Sequence, residues 1–104
     1  MNLNDYLNIL FESKIDFPKN EYISIKKDLK ENKIVNSIRV DKEYNQYKKG
    51  QIYSTPFKFN IIIVDVIKLK NIKEYKYFKS LSNTQIAYLE KFDKLDWIKF
   101  KKEG

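Results

Sequence analysis

The segment Phe57-Lys58-Phe59-Asn60-Ile61-Ile62-Ile63-Val64-Asp65-Val66-Ile67 decides the fold class of this chain. One of its faces carries large apolar side chains at the two-residue spacing of a β-strand, namely Phe57, Phe59, Ile61, Ile63 and Ile67. The other face is polar at Lys58 and Asn60 and becomes apolar from Ile62 onward. A strand whose second half is apolar on both faces is covered on both sides, so we expect it to lie centrally in its sheet.

Shorter segments on either side complete the predicted pattern of elements. Strand alternation occurs at 21–25, 34–40, 51–54 and 95–101, and helices are predicted at 3–13, 26–33, 71–80 and 83–92. The last helix begins at a capping box formed by Ser82 and Gln85. Short connections between strands favour an antiparallel arrangement. We therefore predict an α+β fold, a small curled antiparallel or mixed β-barrel with helices packed outside.

Composition limits both the size and the chemistry of the protein. The 104 residues are 42% hydrophobic, which suits one domain over 1–104 with a real core. The absence of Cys and His removes disulfides, thiol nucleophiles, imidazole acid–base catalysis and most transition-metal sites. We therefore expect no metal and no cofactor, and any catalysis would depend on lysine, tyrosine, hydroxyl or carboxylate groups.

The positive charge is unevenly distributed. There are 21 basic and 14 acidic side chains, and the net charge is −2 over 1–25, +4 over 26–49 and +4 over 66–80. Such an uneven distribution of charge, with basic middle segments, favours attraction of a polyanion, nucleic acid or a nucleotide. The alternative is a solvated lysine surface that reflects A/T-rich codon usage. The longest apolar run, Ile61 to Val64, is far short of the ~20 residues of a membrane span, so we expect a cytoplasmic, intracellular protein without membrane contact.

Ser37 and Arg39 lie on one face of the predicted 34–40 strand because they are two residues apart. A guanidinium beside a hydroxyl can hold a phosphate or the edge of a base. Arg39 is also the only arginine among the 21 basic residues, so codon bias does not explain it. The alternative is a structural ion pair of Arg39 with Asp41 or Glu43.

The loop after this strand combines aromatic and basic side chains. Tyr44 and Tyr47 alternate with Lys42, Lys48 and Lys49, so bases could stack on the rings while ammonium groups bind phosphates. The alternative is that the rings fold onto the sheet. Gly50 is the only glycine before the last residue, and a positive φ or a close backbone contact is expected there.

Two further features are more simply explained by structure than by binding. Lys70, Lys73, Lys76 and Lys79 would line one face of the predicted 71–80 helix, and a solvated face is the simpler interpretation. Trp97 lies in the closing strand, where we expect it to belong to the core.

The stretch Lys33-Ile34-Val35-Asn36-Ser37-Ile38-Arg39, followed by Tyr44 and by Tyr47 to Ile52, resembles the ASCH domain of the PUA-like superfamily. The resemblance covers 21–102, with the 3–13 helix as an addition. It implies a small barrel with a cleft beside the 34–40 strand that recognises RNA or modified nucleosides, and in some relatives hydrolysis of acylated cytidine. Ser37, Arg39 and Gly50 match the hydroxyl, arginine and turn glycine of that motif.

The chain departs from the motif at three places, and two of them are catalytic positions of the hydrolytic relatives, the lysine and the glutamate. Ile34 stands where the hydrolytic relatives have lysine, and Lys33 is one place off, which points it to the opposite face. Gln51 replaces the usual aspartate, and Thr84 and Gln85 stand near the catalytic glutamate position. The resemblance therefore implies a binding protein, leaning away from an enzyme.

The leading prediction is a nucleic-acid- or nucleotide-binding module, with RNA slightly preferred, that uses a basic cleft beside the 34–40 strand. The candidate binding residues are Lys33, Ser37, Arg39, Lys42, Tyr44, Tyr47, Lys48 and Lys49. One alternative is a protein-binding inhibitor or regulator, such as a phage-borne antagonist of a host system. The other is an acylated-nucleoside amidohydrolase.

Overall fold

The computed structural model of the protein describes residues 14–104. Within them, four antiparallel strands form one sheet: β1 (Val35–Val40), β2 (Ile52–Ser54), β3 (Asn60–Leu69) and β4 (Leu95–Lys102). The two α-helices are α1 (Tyr22–Lys30) and α2 (Asn83–Leu89). The predicted α+β class and antiparallel sheet are confirmed. The helix predicted at 3–13 lies outside the described residues.

The strand order is β1-β4-β3-β2, so β3 is central, as its apolar second half predicts. This sheet is open, with β1 and β2 at its edges, and the barrel closure that the resemblance implies is not shown by residues 14–104. Neither α1 nor α2 is long and apolar enough to cross a membrane, and this part of the chain has no other α-helix.

Apolar clusters cover both faces of the sheet. The first core contains Ile15, Phe17, Leu29, Val35, Tyr47, Tyr53, Phe57, Ile61, Ile63, Ile98 and Phe100. The second core contains Leu69, Ile72, Tyr75, Leu89, Leu95 and Trp97. Strand β4 supplies Leu95 and Trp97 to one cluster and Ile98 and Phe100 to the other, as the alternation of a strand requires. Trp97 is 6% exposed, which confirms it as a core residue.

A β-bulge changes the faces predicted for β3. Ile63 pairs with Phe100 and Asp65 with the neighbouring Lys99, which leaves Val64 without a partner. The extra residue reverses the alternation. Ile63 therefore lies in the first core and Ile67 packs against the second, so the prediction that they share a face was wrong.

The strand predicted at 21–25 is also wrong, because α1 begins at Tyr22. Helical spacing brings Tyr22, Ile25 and Leu29 together against the first core. The strand interpretation would have placed Ile23 beside Ile25, whereas Ile23 is 86% exposed. The chain leaves the helix at Asn32 with φ +60°, the left-handed turn that its position after a helix indicates.

Residues 71–80 form two short 3₁₀ turns, Ile72–Glu74 and Phe78–Ser80, and not the predicted helix. The lysines at positions 70, 73, 76 and 79 therefore do not line a common helical face. The capping box that starts α2 is confirmed: Ser82 Oγ accepts from the backbone N–H of Gln85 at 3.1 Å, and Gln85 Oε1 accepts from Ser82 N–H at 2.9 Å.

Candidate functional site

Arg39 lies on β1 with its side chain buried, only 8% exposed. Its Nε donates to Ser37 Oγ at 3.0 Å, which confirms that the two residues share a face. Nη1 donates to Glu43 Oε2 at 2.5 Å, and Nη2 donates to the backbone carbonyl of Asp16 at 2.9 Å. The ion-pair alternative for Arg39 is therefore confirmed, with Glu43 as the partner.

Two aromatic rings enclose the same guanidinium. Its central carbon lies 5.6 Å from the ring centroid of Phe17 and 5.3 Å from that of Tyr47, within the range of cation–π attraction. The Tyr47 hydroxyl also donates to Glu43 Oε2 at 3.0 Å. Arg39 thus joins the segment before α1, strand β1, the 3₁₀ turn Asp41–Glu43 and the loop that follows it.

The loop over 41–51 is fixed to the sheet at several points. Asp96 of β4 is fully buried, and its Oδ2 accepts from the backbone N–H of Asn45 at 2.7 Å. The N–H of Gly50 donates to the carbonyl of Ile63 at 2.8 Å. Gly50 has the predicted positive φ, +85°, with open space where a Cβ would be, so backbone conformation explains this glycine.

This loop encloses an open hollow of about 630 Å³, which we call the loop hollow. Its charged residues are Lys14, Lys42, Lys48 and Glu43, and its base includes Tyr47 and Tyr53. None of the three lysines has a carboxylate within 4 Å among residues 14–104. Because Glu43 is paired with Arg39, the lysines leave the loop hollow strongly positive.

Tyr47 and Tyr53, which line the loop hollow, offer little ring surface for stacking. Tyr47 and Tyr53 are 7% and 5% exposed, and their ring centroids lie 5.1 Å apart in the first core. Tyr44 is half-buried, and the Lys68 ammonium lies 4.3 Å from its ring centroid. The alternative that Tyr47 folds onto the sheet is confirmed.

The other predicted binding residues lie apart from the loop hollow. The Lys33 ammonium is 3.0 Å from Glu31 and 4.0 Å from Asp28 in the connection between α1 and β1. The hydrogen bond with Glu31 is the main reason that the pKa of Lys33 is raised. Lys49 is exposed and lines neither this hollow nor the cleft beside β1.

The cleft predicted beside the 34–40 strand is present, but its charge differs from the expectation. Ser37 and Arg39 line it together with the carboxylate-bearing residues Asp16, Glu21 and Glu43. Arg39 is its only basic lining residue among those described. Acidic residues therefore line one side of this cleft, because folding brings the 16–21 segment alongside β1.

Sequence reasoning missed Lys14, Asp16 and Asp96 as parts of these sites. Lys14 and Asp16 precede α1 in a segment without regular structure, although Ile15 and Phe17 alternate with them as in an extended chain. Asp96 is the single acid within an otherwise apolar or basic closing strand. An acidic residue inside such a strand is the sequence feature that could have predicted a buried polar contact at Asp96.

We expect the stability of the protein to decrease above pH 10 through Tyr47. Burial is the main cause that raises the pKa of this phenol from 10.0 to about 12. The unfolded chain then loses this proton at a lower pH than the folded chain, so the free energy of unfolding falls by at most about 1.4 kcal/mol per pH unit. Denaturant unfolding of wild type and Tyr47→Phe between pH 9 and 11.5 measures this, and equal pH slopes would contradict it.

Together, the fold and the sites define a small basic α+β domain with a lysine-bearing loop that hydrogen bonds hold to the sheet. Comparison of the chain with protein families, with curated proteins and with solved structures finds no match. The relationship to the ASCH domain therefore stays a prediction.

Proposed function

We propose that this protein binds nucleic acid or a nucleotide through its phosphates, with RNA preferred, at the loop hollow. Lys14, Lys42 and Lys48 are the phosphate-binding residues. The observation that carries this proposal is a set of three lysines without acidic partners among residues 14–104. Lys42 and Lys48 lie on a loop that hydrogen bonds hold to the sheet, and Lys14 lies on the segment before α1.

A rigid loop favours binding because less conformational freedom is lost when the ligand docks. Lysine ammonium groups bind phosphates and release condensed counterions, which supplies most of the affinity of non-specific complexes. The first 13 residues contain Asp5 and Glu12 and no basic side chain, so residues 14–104 carry a formal charge of +9, two more than the whole chain. The surrounding field therefore attracts polyanions toward this loop.

In this proposal Arg39 and Ser37 are positioning residues. Ser37 and Arg39 do not line the loop hollow themselves. The hydrogen bonds of Arg39 hold its lining residue Glu43 and the backbone carbonyl of Asp16 in place. Glu43 contributes little repulsion because Arg39 neutralises it. The resemblance to the ASCH domain supports an RNA ligand, and the PUA-like barrel remains part of the proposal with it.

The hydrolase alternative receives no support from the contacts of Ser37. Its hydroxyl accepts from Arg39 Nε, and no lysine or carboxylate of residues 14–104 forms a hydrogen bond with it. Nucleophilic or acid–base catalysis would require such a group to converge on this oxygen.

Salt dependence of binding tests the proposal. We expect a fluorescein-labelled single-stranded 12-nucleotide RNA to bind at 50 mM NaCl, and the DNA of the same sequence to bind more weakly. The triple variant Lys14→Gln/Lys42→Gln/Lys48→Gln should flatten the log–log salt slope by about 2, since each phosphate contact contributes roughly 0.7 for a single strand. If affinities converge at 1 M salt, this corresponds to a loss of roughly 100-fold at 0.1 M.

A matched control separates the site from general charge. Lys70→Gln/Lys73→Gln/Lys79→Gln removes the same charge from exposed positions outside the loop hollow. We expect it to lose less than fivefold, on the order of a long-range screened effect. Equal losses in the two triple variants, or no binding of either oligonucleotide at 50 mM NaCl, would contradict the proposal.

A further inference from the structure

Strand β1 has an open edge. It pairs with β4 on one side, and no strand among residues 14–104 pairs with its other side. Its six residues contain no proline, lysine or bulge, which are among the devices that natural proteins use to protect sheet edges. Its one charged side chain, Arg39, is buried and bonded to Ser37, Glu43 and the Asp16 carbonyl. Alternate backbone N–H and C=O groups along this edge therefore point away from the sheet.

The cleft beside β1 that Ser37 and Arg39 line is a groove of about 730 Å³ that follows this open edge. We call it the edge groove. Five consecutive residues, Asn36 to Val40, line it. Successive side chains of a strand point to opposite faces, so one groove can contact all five only by running along the strand's edge. The contacted length is about 16 Å at 3.3 Å per residue, enough for five residues of an added strand.

The two walls of the edge groove differ in chemistry. On the first-core side, Asp16, Glu21 and Glu43 line it. On the other side, Leu81 and Leu89 of the second core line it together with the exposed Tyr88. An incoming strand would present alternate side chains to these two walls, one set to carboxylates and the other to apolar groups.

Asp16 on the acidic wall stays ionised at neutral pH. The Tyr22 hydroxyl donates to Asp16 Oδ1 at 2.6 Å, and this bond, with a second one from Phe17 N–H, lowers the pKa of Asp16. Glu21 has no ion pair among the described residues, whereas Glu43 is paired with Arg39. In a part of the chain with a charge of +9, no described lysine lines this groove.

We propose that the edge groove binds an extended basic peptide segment of a partner protein by strand addition to β1. The preferred segment alternates basic and apolar side chains, with the basic ones directed to Asp16 and Glu21 and the apolar ones to Leu81 and Leu89. Main-chain hydrogen bonds to β1 supply affinity, and the two walls supply specificity. This inference concerns a site that shares Glu43 with the loop hollow but none of its lysines, and it does not rest on nucleic-acid binding.

The net positive charge of the protein lets a basic peptide distinguish binding in the edge groove from non-specific attraction to the surface. A basic peptide is repelled by a protein of net charge +7, so its binding requires local attraction strong enough to overcome that field. An acidic peptide would be attracted by the whole surface but repelled at this groove. Preference for the basic peptide therefore identifies the edge groove.

The probe is a fluorescein-labelled, end-blocked hexapeptide of alternating lysine and valine, with two matched controls. One alternates glutamate and valine, and the other is the lysine–valine peptide with N-methylated backbone amides. We expect binding of the first peptide only, together with at least tenfold slower hydrogen exchange at alternate amides of Val35–Val40. Equal binding of the N-methylated peptide, or unchanged exchange along β1, would overturn strand addition.

Charge reversal locates the bound peptide. Glu21→Lys should weaken binding about tenfold, the effect of turning an attractive group into a repulsive one beside the basic side chains. Asp93→Lys makes the same charge change at an exposed position outside the groove and should have little effect. Equal effects of the two variants would overturn the assignment. Dimerisation of the free protein with the same β1 amides protected would show instead that a second copy covers this edge.

Discussion

Arg39→Met is expected to lower the free energy of unfolding by about 3–5 kcal/mol, the range found when one partner of a buried ion pair is removed. Methionine has a similar length and flexibility, so it tests the guanidinium with little change in packing volume. The variant leaves Ser37 Oγ and the carbonyl of Asp16 without their donor. It also removes the cation that lies between the Phe17 and Tyr47 rings.

Because Glu43 is partly exposed, we expect the loss in free energy of unfolding to lie in the lower part of that range. The Glu43 side chain is 49% exposed, so water can solvate its carboxylate after Arg39 is lost. The buried acceptors have no such compensation, and leaving a buried polar group unpaired costs about 1–3 kcal/mol. Arg39→Lys should be intermediate, because one ammonium cannot reach three acceptors in the directions that the guanidinium does.

Urea unfolding followed by circular dichroism measures both Arg39 variants. The melting temperature of Arg39→Met should fall by roughly 15 °C or more, given the usual scaling for a domain of this size. Lys42→Met is the control, because Lys42 is an exposed neighbour without a carboxylate partner in the described part of the chain, and it should change stability by about 0.5 kcal/mol or less. A loss below about 1 kcal/mol for Arg39→Met would contradict a structural role for this guanidinium.

Features specified by neighbouring residues could be predicted from the sequence. The strands around Ile38, Tyr53 and Trp97 follow two-residue alternation, and the α2 cap at Ser82 depends on a partner three residues away. The ion pair between Arg39 and Glu43 spans only four residues and is one of the alternatives that the sequence leaves open. These features can be predicted because the residues that form each of them are only two to four positions apart in the sequence.

Features that depend on distant segments could not be predicted. The bulge at Val64 follows from how β3 pairs with β4, and it moves Ile67 to the opposite face. The contact of Arg39 with the carbonyl of Asp16 joins positions 23 residues apart, and that of Asp96 with Asn45 spans 51. Because the acidic cleft and the lysine-lined hollow both arise from such contacts, charge runs in the sequence did not locate them.

The second large loss of stability is expected when Lys68, the ion-pair partner of Asp96, is replaced. In the register of the sheet, Asp96 lies between Arg39 on β1 and Lys68 on β3. Its carboxylate is fully buried, and Oδ1 lies 2.6 Å from Nζ of Lys68 with no other polar partner among residues 14–104. Lys68 is therefore the cation that compensates a buried charge.

Lys68→Met should destabilise the fold by about 3 kcal/mol, the lower part of the range for breaking a buried pair, because half of the Lys68 side chain already lies in solvent. The variant strands the Asp96 carboxylate in the sheet with the Asn45 N–H as its remaining partner. Replacing both members, as in Lys68→Met/Asp96→Leu, removes the stranded charge. That double variant should be less destabilised than Lys68→Met alone, although it loses the hydrogen bond to Asn45, which contributes about 1 kcal/mol.

A double-mutant cycle measures this coupling. Urea unfolding of wild type, Lys68→Met, Asp96→Leu and the double variant should give an interaction energy of about 2 kcal/mol between the two sites. Lys94→Met serves as a control, because Lys94 is exposed and has no carboxylate within 4 Å in the described part of the chain. Additive losses would contradict the assignment, because they would mean that Lys68 does not compensate the charge of the Asp96 carboxylate.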